Sequence, residues 1–103
     1  TFSLTDTNLT TVLSIQTSAI AIVRSVQASH ATASNVDVDL YLKKSGGSDV
    51  EIAHVELNKS SENLAKNVIN LEGGDILKMQ ASSANEITGQ ISYLLIDRSQ
   101  ENG

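Results

Sequence analysis

Residues 71–97, LEGGDILKMQASSANEITGQISYLLID, decide how this chain is read. Glu72-Gly73-Gly74-Asp75 spells a tight turn, because Gly supplies positive φ and Asp bonds its own backbone. ILKMQASS follows as a weakly alternating strand, SSAN as a second turn, and EITGQISYLLID as a long apolar closing strand. That last strand presents Ile91, Tyr93 and Leu95 on one face and Leu94 and Ile96 on the other, since strand side chains alternate. Only one face of each sheet in a sandwich meets the core. The second apolar set therefore has to be covered by a loop, an arm or another subunit. Homo-oligomerisation, or docking on a larger assembly, is the expectation.

Working outward, the upstream chain supplies partners for this hairpin. Residues 1–8 show no period and read as an N-terminal arm, with Phe2 and Leu4 spaced to lie along a neighbour. LTTVLSI, rich in β-branched residues, reads as a strand. AIAIVRSVQASH reads as a longer one, with Ile20, Ile22, Arg24, Val26 and Ala28 on one face and Arg24 interrupting it at a rim. ATASN is a loop. VDVDLYLK alternates cleanly, Val36, Val38, Leu40 and Leu42 inward and Asp37, Asp39, Tyr41 and Lys43 outward. Residues 44–49, KSGGSD, form a hairpin loop. VEIAHVEL returns with Ile52 on one face and Val55 and Leu57 on the other. NKSSEN reads as a polar loop and LAKNVINL as a weaker strand. The sum is an all-β, antiparallel β-sandwich, jelly-roll-like, with seven to eight strands over residues 9–97. Residues 98–103 read as a flexible tail.

Composition narrows the function classes. Seven Lys and Arg stand against twelve Asp and Glu, a net charge of −5. That balance argues against nucleic acid, whose binding rests on cationic side chains, and against an anionic membrane surface. Charged residues make up 18% of the chain, below the roughly 25% of ordinary domains. A polar surface poor in charge suits protein–protein contact. The chain has no Cys and no Pro, so no disulfide or thiolate site is expected and sheet edges need protection of another kind. No apolar run has the length of a membrane span, and no secretory leader is read at the start.

Candidate chemistry is thin. His30 and His54, distant in sequence, do not specify a zinc site, which needs three or four ligands. Asp37 and Asp39, with Asp49 or Glu51 across the hairpin, offer oxygens of the kind that hold calcium. Outward carboxylates on a strand are more simply solvated edge protection. No nucleophile motif frames any serine, and three aromatics are too few to line a sugar cleft. The expectation is no catalytic residue, no metal and no cofactor, with Phe2, Leu4, Tyr93, Leu94 and Ile96 as the interface.

Three segments in order, AIVRSVQASHATASNVDVDLYLKK, DVEIAHVELNKSSENL and LEGGDILKMQASSANEITGQISYLLI, resemble small structural proteins of tailed bacteriophages, cyanophage-like in character. The shared pattern falls on Arg24-Ser25, His54, residues 72–75, Gln80 to Ser82 and Ile91 to Leu94. Order and spacing carry the resemblance, since no single motif is specific. It implies a non-catalytic β-sandwich virion protein, most simply a capsid decoration or cement protein, soluble in the host cytoplasm before assembly. Its partners would be the major capsid protein or neck and tail components. A neck, tail or fibre-base accessory protein is the alternative within that class. A carbohydrate-binding sandwich module is the alternative from another.

Overall fold

The computed structural model describes residues 1–97; the expected tail at 98–103 lies outside them. Among the described residues there are nine strands and no helix: β1 (Phe2–Leu4), β2 (Thr10–Ser14), β3 (Ala19–His30), β4 (Val36–Lys43), β5 (Asp49–Leu57), β6 (Ser61–Asn63), β7 (Ile69–Leu71), β8 (Ile76–Ala81) and β9 (Ile87–Asp97). One sheet runs β1-β9-β3-β6 with β7 also on β3, and the other runs β2-β8-β4-β5. Every pairing is antiparallel, and the pairs nest: β4 with β5, β3 with β6 and β7, β2 with β8, β1 with β9. A single long hairpin is thus rolled up until β9 also meets β3 and β8 also meets β4. This is a jelly-roll sandwich, with one of its eight rows broken into β6 and β7.

Alternation builds the core. Val36, Val38 and Leu40 of β4 and Leu77, Met79 and Ala81 of β8 are all buried, facing Ala21, Val23, Val26 and Ala28 of β3 across the sandwich. Strand β3 keeps an apolar inner face only by changing phase. Its register on β9 jumps between Val23↔Tyr93 and Ser25↔Ser92, leaving Arg24 as an extra, exposed residue. Ala19, Ala21 and Val23 point inward before this bulge, and Val26, Ala28 and His30 after it. The face expected from a uninterrupted period of two is corrected accordingly. Ile20 and Ile22 lie on the outer face, because a bulge shifts every side chain beyond it by one.

The same bulge breaks the neighbouring row. LAKNVINL is not one strand, and residues 61–63, expected as loop, are β6. Opposite the bulge the Asn63 side chain stands in for a strand, accepting from Val26 N at 2.8 Å and Ala65 N at 3.0 Å. Leu64 and Ala65 then dip into the core, and pairing resumes at β7. In β5, too, the expected two-faced burial is replaced by a bulge. Ala53 pairs with Leu40 and Glu51 with Tyr41, so Ile52 is the extra residue. Ile52 and Val50 are exposed, at 40% and 59%, on a strand that ends its sheet.

Residues 2–4 of the expected arm are a strand of the protein's own sheet. Leu4, expected at an interface, is 1% exposed and belongs to this core. Phe2 pairs with Gly89, whose missing side chain admits both the ring and the backbone of β3. A Cβ there would meet Gln27 O at 1.9 Å and Phe2 Cζ at 2.6 Å.

Asp75 ties one end of the roll together. Gly74, at φ +90°, turns the chain so that the Asp75 carboxylate is buried beneath the β4–β5 loop. Its oxygens accept from Lys44 Nζ (2.9 Å), Ser45 N (3.1 Å) and Glu72 N (2.9 Å), and its carbonyl accepts from Ile15 N at 3.1 Å. Burial pushes the carboxyl pKa up, but the Lys44 bond and the two backbone donors outweigh it and hold it below the usual value of 3.8.

Asp75→Ala strands donors at the sandwich end and costs about 2–3 kcal/mol, read as a lower urea midpoint at unchanged m. A lowered folded pKa means the contribution is complete above pH 3.8 and fades as pH falls through the folded value. The gap between wild type and variant should therefore close in acid; a gap that widens there excludes this role. Gly89→Ala forces β9 away from β3 and lies at the upper end of the roughly 1–3 kcal/mol cost of overpacking. Its thermal unfolding should show the loss, and Phe2→Ala should recover part of it.

Candidate functional site

Strand β9 is well protected at its start and bare at its end. Its inner face runs Ile87, Gly89, Ile91, Tyr93 and Leu95, each opposite an inward residue of β3. Ile87 is fully buried, Ile91 partly, yet Tyr93 and Leu95 are 43% and 47% exposed. On the outer face Leu94, 49% exposed, pairs with Ile22, and Ile96 pairs with Ile20. Strand β1 covers the other edge only along residues 87–89. Beyond it, among the described residues, β9 pairs with β3 alone. Both faces and one edge are thus open along residues 92–95, and residues 91–96 are apolar except for Ser92 and hold no charged residue.

Of the five residues expected at an interface, Tyr93, Leu94 and Ile96 gather here. Phe2 and Leu4 do not. They sit against Gly89 and Ile87, and four residues of strand from Gly89 to Tyr93 is about 13 Å. Ile20, Ile22 and Leu95 join the patch instead. The Arg among apolar residues of β3 was the available sign that Ile20 and Ile22 would turn outward.

A second cluster lies on the outer face of the other sheet. Asp39 of β4 pairs directly with His54 of β5, and the Ile52 bulge brings Glu51 to the same face, opposite Tyr41. His54 Nδ1 is hydrogen-bonded to Asp39 Oδ1. One ligating atom from each of Asp39, Glu51 and His54 lies within 4.8 Å of the others. The His54 pKa is raised, first by the hydrogen bond to Asp39 and then by its charge. Glu51 is raised as well, chiefly by a hydrogen bond shared with Asp39, then by partial burial and the Asp39 charge, with His54 pulling the other way. Burial, with the charges of Asp39, Glu51 and Asp49, lifts the Tyr41 hydroxyl. This face is locally anionic. Lys78 beside it is engaged with Asp49 at 3.0 Å. Read from sequence, the carboxylates and His54 were separate candidates; cross-strand register makes them one cluster.

His30 plays no part in it. Buried in the first sheet, its ring stands between Glu86 O at 3.2 Å (Nδ1) and Ser34 O at 2.9 Å (Nε2), and so fastens two loops to β3. Neither a family model, nor a curated protein, nor a solved structure matches this chain. The geometry therefore carries the functional reading.

The raised His54 pKa has a direct check. By NMR titration its ring should protonate above the ordinary histidine value of 6.5, and Asp39→Asn should bring the midpoint back toward it. A wild-type midpoint at or below 6.5 would mean that the ion pair does not form in solution.

Proposed function

We propose that this protein is a non-catalytic virion structural protein, of the capsid decoration or cement kind, that joins its neighbours through the end of β9. The observation behind the proposal is the exposed apolar strand at residues 91–96, open on both faces and one edge. A bare hydrophobic edge is a template for pairing, and proteins shield such edges unless they use them. Here the devices seen elsewhere in the chain, a bulged edge with outward charges or a covering strand, are missing along 91–96.

Energetics favour many weak contacts over one strong one. Covering the exposed halves of Tyr93, Leu94 and Leu95 is worth roughly 3–4 kcal/mol per subunit. That is too little for a tight isolated pair, but it accumulates over a lattice in which each copy touches several others. The mechanism is passive: binding only to the assembled state stabilises that state. The jelly roll suits both viral and lectin modules, so fold alone does not choose between them. What favours the virion reading is the ordered pattern of residues 21–96 that resembles phage structural proteins, together with a surface poor in charge and aromatics. Partners on this reading are other copies of the chain and the major capsid protein, in the virion; attachment at the neck or tail is the variant form.

The purified protein should co-sediment with assembled particles, while light scattering should show self-association of the isolated protein only at high concentration. Leu94→Asp should leave a folded monomer with unchanged thermal midpoint, since Leu94 is on the outer face. An unfolded variant would place Leu94 in the core, and a wild-type monomer that also fails to bind particles would end the proposal. Copy number in purified particles then separates the two positions, scaling with capsomers for decoration and with the single portal axis for the neck or tail.

A further inference from the structure

We propose that Asp39, Glu51 and His54 bind a divalent transition-metal ion, Zn²⁺ in the first instance, that clamps edge strand β5 to β4. The placement of these residues is specific. His54 and Glu51 are three apart in β5 and would occupy opposite faces of a regular strand. The bulge at Ile52 removes that opposition and sets both beside Asp39. Re-aiming one side chain is what such bulges do next to functional sites.

The donor set points to the class of ion. One imidazole nitrogen and two carboxylates match the nitrogen and oxygen ligands of zinc, held at roughly 2.0–2.2 Å in tetrahedral geometry with water as fourth ligand. Such ligands stand about 3.4 Å apart, so a cluster already within 4.8 Å needs only side-chain adjustment at partly exposed positions. Calcium requires six to eight oxygens, which these residues do not supply. The proton now shared by His54 Nδ1 and Asp39 lies where the ion would sit. Binding therefore releases it to solvent, and the lone pair of Nδ1 passes to the metal.

Charge supports the same conclusion. Among the described residues, no Lys or Arg is ion-paired with Asp39 or Glu51; Lys44 goes to Asp75 and Lys78 to Asp49. Asp37, outward on β4, and Glu56, its partner on β5, extend the anionic face. His54 is the one cationic partner of this carboxylate pair, and a divalent ion held by all three would offset the repulsion between Asp39 and Glu51 more fully than a single imidazolium. The site lies on the opposite sheet from β9, so it is independent of the assembly proposal.

The test uses the full-length protein stripped with EDTA and titrated with ZnCl₂. Calorimetry should show one equivalent bound per chain, the thermal midpoint should rise by several degrees, and the His54 ring resonances should shift while those of His30 stay. His54→Gln and Glu51→Gln should each weaken binding by at least about tenfold, with Asp6→Asn as an unaffected control. CaCl₂ at the same concentration should leave the midpoint in place. Zinc binding that survives both substitutions, a shift of His30 in place of His54, an equal response to calcium, or no binding at millimolar zinc would each overturn the proposal.

Discussion

The period of two in β3 does not run its whole length, because the even-numbered face of Ile20, Ile22, Val26 and Ala28 would carry Arg24 into the core with it. Ala19, Ala21 and Val23 line the core on odd positions, Val26, Ala28 and His30 on even ones. One residue has to be spent between them, and Arg24 is the one that solvent accepts. Strand β3 is the spine of its sheet, meeting β9 on one side and β6 and β7 on the other, so both neighbours inherit the shift. On the β9 side the register slips. On the other the row parts, and Asn63 fills the gap with its amide while Leu64 and Ala65 fill the core. The outer pairs Ile20–Ile96 and Ile22–Leu94, half-buried except for the exposed Leu94, exist because the first half of β3 buries small alanines and turns its isoleucines out.

The two sheets then treat their edges in opposite ways. Strand β5 carries a bulge and a row of charged residues, Glu51, His54 and Glu56, both of which discourage a further strand. Strand β9 itself carries neither from residue 91 to residue 96. Lacking proline altogether, the chain relies on bulges and charge for this purpose, and their uneven distribution distinguishes a closed edge from an open one. The asymmetry is informative because the same jelly-roll pairing builds both edges; what differs is the side chains.

Much of this was legible in the sequence where a strand is regular and one-sided. VDVDLYLK and the turns at 72–75 and 44–49, the latter one residue too long because Asp49 opens β5, read directly, since alternation and Gly placement act locally, and with them the all-β sandwich. The phase of β3 did not, because a bulge leaves no residue type as its mark; Arg24 within an apolar face was the only trace. Leu4 was misplaced for a related reason. A three-residue strand has too few alternations to show a period, and its burial depends on Gly89, far along the chain, leaving room for Phe2. The Asp39–Glu51–His54 cluster was least legible of all. It requires the register of β4 on β5 and the bulge at Ile52 together, and shifting either by one residue would disperse it.

The separation of the two surfaces bears on how one small domain could serve in an assembly. The end of β9 lies in the sheet β1-β9-β3-β6, and the cluster in the sheet β2-β8-β4-β5, so a subunit docked along β9 leaves the cluster free. Asp75 holds together the loop that joins β4 to β5, the turn before β8 and the segment leading to β3. It thus fixes one end of the β4–β5 hairpin, while the bulge at Ile52 loosens the ladder beyond. A ligand bridging Asp39, Glu51 and His54 spans that bulge, where the backbone hydrogen bonds between β4 and β5 are interrupted.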